Sequence, residues 1–519
     1  TTRIDYYAAG ADTSAASGYY LTYVYDAGGN VTRETVTKDG ATEITAYAYD
    51  ALNRVSQQTQ GAEKVGALPI DYAYNAAGQL SGVSYPRENS QTGVAATGTG
   101  KQTLSFSYDS YGRQSEVRLN GQLVESYSYT AGGDLMATQV YGKFDAGNTA
   151  DYLRTAYTYN SLGLVTKTET QGYGGVSGKK EQIDLTYDNV GNIRTEQTYT
   201  NYGTAKTVNK AYEYDTVGRL TKSTIDGKAT SYTYDAVGNR LTQTSEGKTL
   251  SYNYNNLNQL TSIKEGNTTV ASYTYDANGN QKKEVKQHVS VTVGGKTQVY
   301  NKETDYVYDL RGLLTSTTVK TPSANETTGA VTYNTQTTTN TYNAAGKRLK
   351  RVEEDKTTRF YYMGEALLFT TNQDLVMTSE NVLNTGGQII ASKRFAVPGV
   401  EVTDPFAGQY YFYQYDVRGS VTDILDKNAG LVKGYDYDEF GNTEEKGNES
   451  FLNDVTFTGS VSDASSGLQY MNARFYQPST GRFLSQDSYS GNPYDPWTQH
   501  LYSYCGNNPY KKDKRRLFI

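Results

Sequence analysis

Tyrosine recurs in this chain at alternate positions, and each pair is followed by the same polar punctuation. The clearest copies are Tyr212-Glu-Tyr214-Asp215-Thr-Val-Gly218, Tyr232-Thr-Tyr234-Asp235-Ala-Val-Gly238 and Tyr273-Thr-Tyr275-Asp276-Ala-Asn-Gly279. The phrase also stands at Tyr23-Val-Tyr25-Asp26, Tyr47-Ala-Tyr49-Asp50, Tyr72-Ala-Tyr74-Asn75 and Tyr306-Val-Tyr308-Asp309. A period of two places both rings on one face of a β-strand. Asp or Asn next, with Gly three residues on, suits a type I turn, because the Asx side chain caps the turn and Gly tolerates its exit geometry. A Leu, Val or Ile and a Thr-rich stretch then restart a strand, as in Arg240-Leu241-Thr-Gln-Thr, and Glu246-Gly247-Lys248 closes the hairpin.

From Tyr214 the second ring returns at Tyr234, Tyr254 and Tyr275, at intervals of 20, 20 and 21 residues. Two strands of about seven residues, each roughly 23 Å long, and two turns fill that length. Longer intervals, such as the 34 residues from Tyr74 to Tyr108, carry polar inserts like Arg87–Gly100 that read as surface loops. Thr, Tyr and Val favour strands, and Gly punctuates every window, so helix signals are nearly absent. The predicted class is all-β: hairpin after hairpin, paired edge to edge because one hairpin alone is marginal. So long a ribbon must curl or close. The amphipathic rings suit a wall around a large solvated space, and they suit equally an open sheet stapled by cross-strand stacking.

Composition narrows the function. The chain has 519 residues, with 51 Tyr, 51 Gly and only 36% hydrophobic residues. Its 49 basic and 55 acidic residues nearly cancel to −6, so self-repulsion gives no reason for disorder. A pI near 5.3 argues against general nucleic-acid binding. No apolar run approaches the length of a membrane-spanning helix. The single Cys505 excludes a disulfide framework and a four-thiolate metal site. His288 and His500, far apart in sequence, make histidine chemistry a poor fit, and no cofactor or metal is expected. The start at Thr1, without a signal region, reads as a piece of something longer.

The phased copies resemble the YD repeats of the Rhs (rearrangement hot spot) and teneurin family, across about residues 20–510. The segment Phe412-Tyr-Gln-Tyr-Asp416-Val-Arg418-Gly-Ser-Val421 is similar to the entry of the Rhs core. Gly467-Leu-Gln-Tyr470, Arg474-Phe-Tyr476, Gly481-Arg-Phe-Leu-Ser-Gln-Asp487, Leu501-Tyr-Ser-Tyr504 and Asn507-Asn-Pro509 resemble the Rhs-associated core. The resemblance implies a β-ribbon spiralling into a hollow shell, with 1–400 as the YD-repeat wall, 401–510 as the core that closes one end, and 511–519 as a basic tail or altered junction. It also implies a secreted or surface-displayed bacterial protein whose partner is a C-terminal toxin or effector polypeptide.

In many relatives the core is an aspartyl autoprotease, whose two carboxylates share a proton. This chain has Gln477 where the family usually has Asp, and keeps the later position as Asp487. An amide cannot act as the ionised partner, and Asp495 could substitute only if the fold brought it near. Asp487 and Arg474 are therefore remnant candidates, and no enzymatic activity is expected. Asp487 reads as a turn-capping aspartate sooner than as a catalytic one, and Trp497 and Cys505 read as packing residues. The tail Lys511-Lys-Asp-Lys-Arg-Arg-Leu-Phe-Ile519 could grip phosphate or a membrane surface, or be a solvated terminus. Three functions stand: a container for an effector, a surface that stacks on cell-surface glycans, and an autoprotease.

Overall fold

The computed structural model describes residues 1–7, 17–61, 68–88, 95–96, 100–293, 296–324, 330–396, 404–492, 494 and 496–510. Strand follows strand in one antiparallel sheet of 35, from Thr2–Tyr6 to Thr443–Gly447. Each strand pairs with its neighbour in sequence. The one detour pairs Arg87–Glu88 with Ala95–Ala96, while Leu80–Tyr85 pairs directly with Gln102–Tyr108. The two end strands do not meet, so the sheet is not closed. A second sheet of four short strands spans Val461–Asp463 to Arg482–Phe483. Among the described residues only short 3-10 turns interrupt the strands.

The 20-residue unit takes its predicted form, as Lys228–Tyr234, Arg240–Ser245, Lys248–Tyr254 and Leu260–Glu265. At each Tyr-Asp corner the carboxylate organises the turn. Asp215 Oδ1 accepts the backbone N–H of Val217 and of Arg219, at 3.1 and 2.9 Å, and Gly218 N–H bonds back to the Asp215 carbonyl at 3.0 Å. Gly218 leaves the turn at a φ of 87°, in the left-handed region that glycine enters without strain. The opposite corners are tight, with Glu246 and Gly247 both at positive φ, as a two-residue hairpin turn requires.

The second tyrosine of each pair has a repeated task. The ladder between Leu220–Ile225 and Lys228–Tyr234 ends at Lys222 opposite Ser231, leaving the Leu220 carbonyl without a strand partner on that side. The Tyr234 hydroxyl donates to it at 2.8 Å. The same bond recurs from Tyr49 to Val31, Tyr74 to Val55, Tyr214 to Ile193, Tyr254 to Arg240, Tyr308 to Gln281 and Tyr437 to Val421, at 2.8 to 2.9 Å. The hydroxyl thus satisfies a carbonyl that the splayed strands abandon. Tyr234→Phe is expected to lower the stability of the fold by about 1–3 kcal/mol, because a shielded acceptor loses its donor while the ring stays. Urea denaturation checks it, and no change would mean that water replaces the hydroxyl.

The first tyrosine is a packing residue: Tyr212, Tyr232 and Tyr273 are buried in the packed layer and do not face a wet wall. The ribbon also laps over itself. Tyr19 donates to Asp309 at 2.6 Å, the Tyr72 hydroxyl to the Tyr362 carbonyl at 3.5 Å, and Gln102 to Glu380 at 3.0 Å, across separations of 290, 290 and 278 residues. Strands of the second lap, such as Lys356–Met363 and Ala366–Thr371, are buried almost continuously. Continuous burial means both faces are covered. On one face Tyr361 and Phe369 stack at 4.3 Å, and Phe369 meets Tyr85 of the first lap at 5.6 Å. On the other, Phe360 and Tyr362 meet Arg348, which also faces Tyr470 of the C-terminal segment. Cavities of about 390, 440 and 610 Å³ lie between these layers.

Candidate functional site

The sheet ends at Gly447, and the chain from Phe451 to Tyr510 then lies against both laps. The 400/401 boundary expected from the sequence lies outside the described residues. The C-terminal segment is held first by charge. Asp463, 2% exposed, accepts both Nη1–H donors of its two arginines: Arg348 Nη1 at 2.8 Å from each oxygen, and Arg351 Nη1 at 2.8 Å from Oδ1. Arg348, fully buried, also lies over the Tyr470 ring at 4.4 Å, and Arg351 reaches Asp454 at 3.2 Å. Burial alone would raise the Asp454 carboxyl, but Arg351 outweighs it and holds it below the usual carboxylate range.

The same segment grips a row of Tyr-Asp corners. Asn508 Nδ2 donates to the Gly218 carbonyl at 2.8 Å, Asn507 Nδ2 to that of Gly238 at 2.8 Å, and Tyr502 Oη to that of Gly279 at 2.7 Å. Arg482 Nη2 reaches the Asn258 carbonyl, at the intervening corner, at 2.5 Å. Gly279 is needed twice over: its φ is 81°, and a Cβ there would come within 2.8 Å of both Gln486 and the Tyr502 hydroxyl. His500 sits in the same row, with Nε2 2.8 Å from Asn239 Oδ1 and Nδ1 accepting the Ser503 N–H at 3.1 Å. Burial and Arg482 push it down to about 3, so the imidazole is neutral and acts as a fixed two-ended bridge.

The remnant catalytic candidates separate into two places. Asp487 Oδ2 is paired with Arg474 Nη2 at 2.5 Å, its Oδ1 accepts the Tyr489 N–H at 3.0 Å, and the Arg474 guanidinium lies 3.8 Å over Phe483. Gln477 is buried and donates instead to Glu284 at 3.1 Å, while Thr480 donates to its side-chain oxygen at 3.2 Å. The bonds of Asp487 are those of an ion pair and a turn cap, and its partner is a guanidinium. Asp495, the side chains of Trp497 and His288, and residues 511–519 lie outside the described residues. Cys505 is half-buried and lines the 390 Å³ cavity. Among the described residues no group of three or more His, Cys, Asp or Glu is placed to hold a metal ion.

The grip on the corners was out of reach of the sequence. Asn507 and Asn508 stand out there as motif residues, but nothing local says that their amides meet glycine carbonyls some 270 to 290 positions earlier.

Comparison with known proteins agrees with this architecture. The family model described as teneurin YD-shell matches residues 149–510. A tRNA3(Ser)-specific nuclease WapA from Bacillus spizizenii is 30% identical over 269 residues, 49% of this chain and 11% of the relative. The tRNA nuclease WapA of Bacillus subtilis is 29% identical over 269 residues, with the same coverage. The chain thus spans about a tenth of the curated relatives it matches. Among solved structures, the Photorhabdus luminescens Tc holotoxin pore matches 95% of this chain and 30% of its own, at 15% identity and a TM-score of 0.36. The family model takes in more than half of the chain, repeats and C-terminal segment together, and the chain therefore belongs to the teneurin YD-shell family.

Proposed function

We propose that this chain is a structural sector of a toxin-type YD-repeat shell, which holds and shields a polypeptide continuing from its C-terminal end. The division follows the sequence: 1–400 as wall, 401–510 as closure, 511–519 as the junction with the enclosed segment. The observation that carries the reading is the course of the chain at Tyr510. That residue is 7% exposed, lies 4.2 Å from the Tyr212 ring, and lines the 390 Å³ cavity between the laps. A continuation from there starts at an inner wall, behind the hydrogen bonds that tie 502–508 to the turn corners. A folded domain of 100 residues has a radius of gyration of about 13 Å, far larger than these cavities, so a whole effector needs more wall than this chain supplies. The exposed edge strand Thr2–Tyr6 offers unpaired backbone groups on which further ribbon can add.

In this reading the chain catalyses nothing itself: the nuclease activity in the relatives' names belongs to those proteins, and the Asp487–Arg474 pair is a structural contact. Secretion or display at a bacterial surface follows from the same family. The glycan-binding alternative finds no support in the relatives or the fold. A short unstructured peptide fused after Ile519 tests the proposal. Its digestion by a nonspecific protease is expected to be at least about tenfold slower than that of the free peptide, since each 1.4 kcal/mol of protection is a factor of ten in the open population. Equal rates would overturn it.

A further inference from the structure

Two carboxylates between the laps have no partner. Glu181 is 6% exposed and lines both the 390 and the 440 Å³ cavities, and Asp423 is 8% exposed and lines the second. Among the described residues no hydrogen bond or ion pair reaches either side chain. The Tyr202 hydroxyl, buried beside them, makes no full hydrogen bond either, a weak approach to Thr170 apart. Unsatisfied buried polar groups are rare and call for a cause. Local cations supply only part of one, because four of them already face three other carboxylates. Lys210 pairs with Glu196 at 2.7 Å, Arg418 with Asp416 at 2.8 Å, Lys206 with Asp436 at 3.2 Å, and Lys446 also with Asp436. Lys206 and Lys446 share Asp436 and both also act on Asp423, so four cations face five carboxylates and one negative charge is left over at Glu181 and Asp423.

We propose that Glu181 and Asp423, with the Tyr202 hydroxyl, form an interior binding site for an alkylammonium or guanidinium group. The two carboxylates supply one unbalanced negative charge, and a hydroxyl oxygen supplies a third acceptor for a multi-donor cation. The space beside them admits a lysine- or arginine-sized chain and not a globular partner. Burial and the Asp423 charge push Glu181 up to about 8, and burial pushes Asp423 up to about 6 against the pull of Lys206 and Lys446, so protons compete with a cation for the empty site. One source of such groups is close at hand. Tyr510 lines the same cavity as Glu181, and the next six residues include Lys511, Lys512, Lys514, Arg515 and Arg516. An external amine is the other source. The site does not depend on whether a longer polypeptide is enclosed.

Thermal melting of the full chain at pH 8 tests this, with Glu181→Gln and Asp423→Asn combined, with the five tail cations replaced by Ser, and with both sets together. If the tail is the source, neutralising it lowers the melting temperature of the parent by a few degrees and leaves the Gln/Asn background unchanged. If the source is external, the tail variant melts like the parent, and millimolar 1,5-diaminopentane raises the melting temperature of the parent but not of the Gln/Asn background. The isosteric amides keep the cavity shape, so the Gln/Asn background itself is expected to fold. The site is disproved if neither the tail nor the diamine has an effect that depends on Glu181 and Asp423.

Discussion

Asp463→Ala is expected to lower the unfolding free energy by about 3–5 kcal/mol, the range for removing one partner of a buried ion pair. The carboxylate receives Arg348 and Arg351 together, and both guanidinium groups are at least 95% buried. Its loss strands the Arg348 charge in the layer between the second lap and the C-terminal segment, while Arg351 keeps Asp454 and Glu353. Arg348 Nη2 and Nε already lack hydrogen-bond partners there, so no spare acceptor waits to take over. The effect should appear as a lower denaturation midpoint and as early proteolysis within 451–510, because this triad pins that segment to Arg348–Glu353. A loss below about 1 kcal/mol, the worth of a solvated pair, would mean that water reaches the triad.

Phe369→Ala should cost a similar amount for a different reason. Its ring is completely buried, stacked on Tyr361 at 4.3 Å and near Tyr85 at 5.6 Å, where the second lap meets the first. Truncation removes apolar burial and leaves a cavity that two layers of sheet cannot close, at about 3–5 kcal/mol. Because the residue joins laps and not adjacent strands, strand content by circular dichroism should survive at temperatures where the tyrosine near-ultraviolet signal has gone. Coincident loss of both signals would show the laps and the ribbon to be one cooperative unit.

The repeat was legible because its determinants are local. Period-two tyrosines, an Asx-capped corner and a glycine three residues on each act within a few positions, so Tyr214-Asp215-Gly218 announced a strand end and its turn. The reason for the second tyrosine was not legible, since the Leu220 carbonyl it serves is exposed only by the register of the neighbouring hairpin. The second covered face of strands such as Ala366–Thr371 comes from a lap about 280 residues away, which no local pattern records. Long separation in sequence also hid the Arg348–Asp463–Arg351 triad and the unpaired Glu181. Charges 115 positions apart leave no periodic trace. At the remnant catalytic site the departure at Gln477 and the retained Asp487 were legible, but their partners, Glu284 and Arg474, come from the fold.

Strand-by-strand pairing in chain order has a kinetic consequence. Most neighbouring strands meet across corners of a few residues, so most steps of ribbon growth close a short loop, and zippering can proceed in the order of synthesis or export. The contacts that close loops of 278 to 290 residues, at Asp309, Tyr362 and Glu380, belong to a later and slower stage. The row of bonds from Tyr502, Asn507 and Asn508 comes last of all, because its donors are the last described residues to emerge. A chain emerging amino-end first would therefore build its ribbon before its latch, and the space between the laps would stay open until the last described residues arrive.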